Sequence, residues 1–157
     1  MIRLKKFSIE WWASLRPEVV GNETEKAVED VFAEMNRSQS FAWARLPDAK
    51  ACRGRIAAQP ADYAYRCHPH AGYIEVKALK HDYRLPASRL TQLPVLHKWD
   101  LAGAESFVLV HHYMLGKWRI APTVALNSGV PSWDLRDEPL FDTPREALVS
   151  TGCFDGA

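Results

Sequence analysis

The sequence predicts an α/β fold, a mixed central β-sheet flanked by helices, and three observations carry that prediction. Val28, Val31, Phe32 and Met35 recur at i, i+3, i+4 and i+7, the signature of one apolar helical face. Short alternating or apolar runs read as strands, the strongest being Ser106-Phe107-Val108-Leu109-Val110-His111. The elements follow in the order α-β-β-β-α-β-β, which makes a mixed sheet with helices packed on it.

Taken in order, residues 22–36 are expected as the first helix, with Asn22 as its cap. Residues 41–46 alternate apolar with small or polar side chains and are expected as a strand. Residues 50–59 are basic and turn-like. Residues 62–66 and 72–78 are expected as two strands joined by the turn Cys67-His68-Pro69-His70. Residues 91–102 read as the second helix, with Thr91 as cap, Pro94 in the first turn and Gly103 at the stop. The strand at 106–111 finds a partner in 117–121 across the Leu115-Gly116 turn. Thr143-Pro144-Arg145-Glu146 is a capping box with Pro at the first helical position, and opens a short terminal helix. No repeat, linker or low-complexity stretch interrupts this order.

The 157 residues fit one domain, large enough to bury a core without covalent staples. A charged fraction of 25% and an apolar fraction of 47% exclude a disordered tail, a collagen-like chain and a disulfide scaffold. No apolar run approaches the roughly 18 residues of a membrane span. The start, basic and then Glu10-Trp11-Trp12, lacks the apolar core of a signal peptide. Three cysteines, an odd and sparse set, point to a reducing compartment, so the protein is expected in the cytoplasm. Residues 1–20 are expected to include a dimerisation arm, apolar over residues 7–15, and residues 122–157 form a C-terminal extension.

A formal net charge of +1 conceals an asymmetry. Residues 1–44 carry −1, residues 45–98 carry +6 and residues 99–157 carry −4. The middle third holds Lys50, Arg53, Arg55, Arg66, Lys77, Lys80, Arg84 and Arg89. Such a cluster serves equally as a solvated surface or as a patch for a polyanion, because local field rather than net charge attracts phosphates.

The segment that carries chemistry is Gln59-Pro60-Ala61-Asp62-Tyr63, followed by Tyr73-Ile74-Glu75-Val76-Lys77. Strand residues two apart share a face. Glu75 and Lys77 therefore project together, while Ile74 and Val76 turn to the core. A short turn returns Asp62 alongside, so that two carboxylates and an ammonium converge near one sheet edge. Hard oxygen donors suit Mg²⁺, and an ammonium beside them suits phosphodiester hydrolysis, which needs an oriented water and relief of developing charge. An Asp after Pro-Ala also serves as a turn residue, and Glu-x-Lys as an exposed ion pair. Glu25 lies near the apolar stripe of the first helix, where it is either a site residue or the second half of an Asn22-x-x-Glu25 capping box. Gln92 opens the second helix, where its amide suits a phosphate or a water.

Together these features resemble the PD-(D/E)xK nuclease superfamily, and within it the RecU-type Holliday junction resolvases. Pro60-Ala61-Asp62 and Glu75-Val76-Lys77 stand for its signature, and Gly21-Asn22-Glu23-Thr24-Glu25 looks like its Gly-x-x-x-Glu helix opening. Asp62-Tyr63 and Ile74-Glu75-Val76-Lys77 resemble its strand motifs. Tyr83-Arg84-Leu85-Pro86 with Thr91-Gln92 resembles the loop and helix that follow, and Phe107-Val108-Leu109-Val110 the next strand.

The resemblance implies a restriction-endonuclease-like core and a Mg²⁺-dependent endodeoxyribonuclease, with Mn²⁺ able to substitute. It implies Asp62, Glu75 and the Val76 carbonyl as metal ligands, Lys77 beside the water, Glu25 completing the acidic site and Gln92 positioning water or phosphate. The substrate it implies is DNA, as four-way junctions cut by a homodimer, with Lys50, Arg53, Arg55, Lys80, Arg84 and Arg89 on the phosphates. Residues 50–59 look like a short version of the segment that RecU-type enzymes project into the junction. The alternatives are a restriction, repair or exonucleolytic enzyme on linear DNA, and a non-catalytic DNA-binding protein of the same fold.

Other readings are weaker. Cys67-His68-Pro69-His70 with Cys52 offers zinc donors at a spacing that fits no common structural site. His111-His112 reads as a strand-end pair. Trp11, Trp12 and Trp43 serve packing, base stacking or a subunit contact, and residues around Trp118 are expected to offer sheet-edge surface to a second copy.

Overall fold

In the computed structural model, which describes residues 5–48, 52–53, 56–80 and 83–157, the alternating and apolar runs pair into a five-stranded sheet. Its strands are β1 (Phe41–Arg45), β2 (Tyr63–Cys67), β3 (His70–Leu79), β5 (Phe107–His112) and β6 (Lys117–Pro122), lying in the order β1-β2-β3-β5-β6. Only β3 and β5 run parallel, Ile74 facing Phe107 through Leu79 facing His112; every other pair is antiparallel. A parallel pair needs a crossover, and α3 (Leu93–Leu101) supplies it. A second ribbon, which periodicity over so few residues does not announce, pairs β4 (Arg84–Pro86) with β7 (Ser132–Asp134).

The pleat sorts side chains to two cores. Tyr63, Ile74, Val76, Phe107, Leu109, Trp118 and Ile120 share one face with Val28, Phe32 and Met35 of α2 (Pro17–Met35) and Ala147 and Leu148 of α4 (Pro144–Val149). Leu79, Val108, Val110 and Ala121 share the other with Leu93 and Leu96 of α3 and with Leu85 and Trp133 of the ribbon. Burial on both faces explains why β5 is apolar from Phe107 through Val110. Each large side chain so buried contributes on the order of 1.5–3 kcal/mol.

Three helix starts differ from expectation. The first long helix begins at Pro17, whose fixed φ and missing N–H suit position N1, so Asn22 lies inside it and caps nothing. Residues 7–15 contain a short helix, α1 (Ile9–Ser14), capped by Ser8, and its Trp12 is buried against the rings of His111 and Tyr113. At α3 the N-cap is Gln92 rather than Thr91, and no side chain bonds the end. The capping box at Thr143 forms with both its bonds. Gly103 and Gly116 stand at φ +102° and +61°, as the helix stop and the hairpin turn require.

Trp118 is buried too, stacked on His111 at 4.2 Å and bridged by Phe141 in front of β6, so it offers no edge surface. His111 also bonds Thr24 at 3.1 Å, and His112 meets Arg119 at 3.1 Å, which makes the pair structural. No helix among the described residues is long and apolar enough to cross a membrane.

Candidate active site

Register brings the first two acids together. Tyr63 faces Ile74, so Asp62, one residue before β2, stands opposite Glu75. Their contacts are reciprocal: the Asp62 N–H donates to Glu75 Oε2 at 3.1 Å, and the Val76 N–H donates to Asp62 Oδ2 at 2.7 Å. The Lys77 ammonium donates to Glu75 Oε1, which leaves Glu75 almost wholly buried and Lys77 largely so. Strand geometry turns the Val76 carbonyl to the same side as its N–H, beyond the start of β2 and toward Asp62. The site therefore lies on the central strand of the sheet, at the point where β2 stops covering it, and not at a sheet edge as the sequence suggested.

Glu25 arrives from α2, on the face opposite α3. It sits in the third turn of a 19-residue helix, so the capping-box reading fails and its carboxylate is free for another purpose. That carboxylate accepts from Arg45 Nη2 at 2.5 Å, while Arg45 Nη1 donates to Glu29 Oε1 at 2.6 Å. Glu25, Arg45, Asp62 and Gln92 line one cavity of about 380 Å³. The cavity and the Glu75–Asp62 contact thus bring Glu25, Asp62, Glu75 and Gln92 into one neighbourhood, and Lys77 joins through Glu75.

Electrostatics sharpen the picture. Burial pushes the Glu75 carboxyl up to about 7, and the neighbouring Asp62 charge adds to this against the pull of Lys77. Burial likewise raises Asp62, opposed by the Val76 N–H and by Lys77. Glu25 is raised by burial and then by Asp62, with Arg45 opposing. Burial raises all three carboxyls, and a divalent cation would offset that cost of burying negative charge. An all-oxygen donor set fits Mg²⁺.

The expected phosphate contacts are less concentrated. Lys80 and Arg84 are exposed, and exposed Arg89 donates to the Ala78 carbonyl at 2.8 Å, which brings it to the end of β3 beside Lys80. Arg53 is exposed, with φ +53°. Lys50 and Arg55 lie outside the described residues. Arg45 and Glu29 were missed. The signal was present: Phe41, Trp43 and Arg45 share one strand face, and an arginine in an apolar row calls for acidic partners, here spaced i, i+4 on α2. The zinc grouping around Cys52, Cys67 and His68 does not assemble among the described residues; of that motif only His70 joins a donor cluster.

No protein-family profile and no curated protein matches the chain. Among solved structures it is similar to Archaeoglobus fulgidus Hjc, described as a Holliday junction resolvase from an archaeal hyperthermophile. The two are 23% identical with a TM-score of 0.48, over 70% of this chain and 87% of that one.

Proposed function

We propose that this chain is a Mg²⁺-dependent, structure-selective endodeoxyribonuclease of the PD-(D/E)xK type, acting as a cytoplasmic Holliday junction resolvase. The observation that carries the reading is the reciprocal Asp62–Glu75 pair with Lys77 on Glu75, whose Asp62 lines one cavity with Glu25 and Gln92. A DNA-binding module without catalysis has no use for buried acids facing phosphate, since each costs desolvation and repels the ligand.

Asp62, Glu75 and the Val76 carbonyl would hold the cation, with Glu25 closing the acidic side. Bound there, Mg²⁺ supplies charge to the phosphoryl group and lowers the cost of forming hydroxide. Lys77 holds a proton-donating ammonium against the site and orients the attacking water through its remaining N–H groups. Gln92, at the mouth of α3, offers its amide to water or to a phosphate oxygen. Arg45 keeps Glu25 aimed at the cavity. Lys80, Arg84 and Arg89, with Arg53, Lys50 and Arg55 from the basic segment, would meet the phosphates and fix the DNA in place.

The deciding experiment compares cleavage of matched four-way junction, flap, single-stranded and duplex DNA, with Mg²⁺ and with EDTA. Metal-dependent paired nicks in the junction alone are the expected result. Equal cutting of linear duplex would move the chain to the restriction or repair nucleases, and binding without cutting would remove catalysis from the reading.

A further inference from the structure

At the start of β3, five residues and about 16 Å from Glu75, a different set of side chains converges. His70 opens β3, Glu105 precedes β5 and Cys153 follows α4. Gly72 makes their meeting possible. A Cβ there would lie 2.0 Å from the Glu105 carbonyl oxygen, and only a glycine lets that backbone pass so close, with the Glu105 N–H donating to the Ala71 carbonyl at 2.9 Å. Glu105 Oε2 then stands 2.6 Å from His70 Nδ1, and the donor atoms of His70, Glu105 and Cys153 all lie within 4.8 Å of one another. A cavity of about 490 Å³ opens beside them, lined by Glu105, Cys153, Ser106 and Thr151 among others.

We infer that His70, Glu105 and Cys153 form a second metal site, separate from the acidic one, that takes a zinc-type divalent ion with its fourth position open to the cavity. The donor chemistry selects the ion. Imidazole, carboxylate and thiolate together suit Zn²⁺, whereas Mg²⁺ takes oxygen. Zinc bonds of about 2.0–2.3 Å place tetrahedral ligands about 3.4–3.6 Å apart, wider than the 2.6 Å His70–Glu105 contact and inside the 4.8 Å that bounds the three donors. The half-exposed Glu105 side chain is free to make the adjustment. Three protein ligands leave one position for a water or small anion. Zinc takes the thiolate, so ion binding releases the Cys153 proton. A bound ion would clamp the segment after α4 to the β2–β3 turn.

The test uses the full-length chain, stripped of metal and dialysed against Zn²⁺ in excess Mg²⁺, with metal content and melting temperature measured. One zinc per chain is expected, with a melting point about 5–10 °C higher at roughly a hundredfold excess over Kd. Asp62→Asn and Cys52→Ser should retain the ion. His70→Ala and Cys153→Ser should weaken binding by more than the about 10–100-fold typical of losing an indirect support. Cys153 is buried; where its variant fails to fold, Co²⁺ in the unaltered chain decides, through a thiolate-to-cobalt charge-transfer band that His70→Ala abolishes. No retained ion, an ion that survives His70→Ala, or cobalt without that band overturns the inference.

Discussion

The Asp62 and Glu75 carboxylates each hold the other's strand by a backbone bond, so a substitution that keeps shape but removes charge isolates the chemistry. Asp62→Asn and Glu75→Gln should each lower Mg²⁺-dependent cleavage by at least about 10²–10³-fold while junction binding in EDTA stays level or improves, because one charge facing phosphate is gone. Full cleavage by either variant, in a single-turnover assay, would remove the central claim. Lys77→Ala should lose most of its turnover yet still bind the cation in calorimetry. Glu25 sits mid-helix and bonds Arg45, so Glu25→Gln should leave the melting temperature unchanged and suppress turnover. Unchanged turnover would leave Glu25 as nothing more than Arg45's partner. That Glu75 and Lys77 project together was legible from the two-residue strand period. That Arg45 completes the acidic cluster was not, because its partners lie 16 and 20 residues away on another element.

Elements meet at His111, which receives Thr24 from α2, Trp12 from α1 and Trp118 from β6. Burial, with adjacent His112, holds its imidazole down to about 3 from an ordinary 6.5. The folded state therefore favours the neutral ring. Its contribution is complete above about pH 6.5 and shrinks as pH falls toward 3, by about 1.4 kcal/mol per pH unit. Denaturant unfolding between pH 7 and 4 should show that decline, and His111→Gln should flatten it; an identical slope in the variant would mean other groups set it. At the β3–β5 crossover, Gly72→Ala drives a methyl into the Glu105 backbone and should cost about 1–3 kcal/mol or more, read as a shift in the denaturation midpoint. A neutral result there would show that the Glu105 segment is free to move. Helix interiors and the Thr143 capping box were readable from sequence. The α2 start was not, since Pro17 and Asn22 are both acceptable openings locally and packing of Val20 and Thr24 decides between them.

For the whole molecule, the proposed resolution of a four-way junction takes two nicks on opposed strands, and so calls for two active sites at a fixed separation. A two-fold homodimer is the simplest way to do this and the commonest oligomer. Trp12 and Trp118 are both committed to the protein's own core, and Val95, Trp99, Leu101 and Val124 are exposed around α3; the apolar surface that the N-terminal region and the β5–β6 turn offer a second copy lies at Phe7, Ile9 and Leu115. These flank α1 and the β5–β6 turn, which Trp12 and Tyr113 join. Light scattering at micromolar concentration should therefore give twice the mass of the chain, and Phe7→Ser with Ile9→Ser should halve it and uncouple the paired nicks. Junction binding should weaken steeply with salt while the preference over duplex survives, because phosphate contacts set affinity and shape sets selectivity. A monomer that cuts junction and duplex equally would reject this assembly.

Local rules suffice for what the sequence determined alone. Strand alternation put Ile74 and Val76 in the core and Glu75 with Lys77 on the other side, turn chemistry placed the β2–β3 and β5–β6 hairpins, and the element order implied a mixed sheet with helices on it. These depend on neighbours within a few residues, where period and turn preference act. Tertiary structure decided the rest: that α1 packs on its own chain, that Glu25 and Gln92 border one cavity, and that burial raises the carboxyls of Glu25, Asp62 and Glu75. It also brought His70, Glu105 and Cys153 from three distant segments to one place. Convergence and desolvation arise only when separate layers close over one another, and no window of sequence contains them.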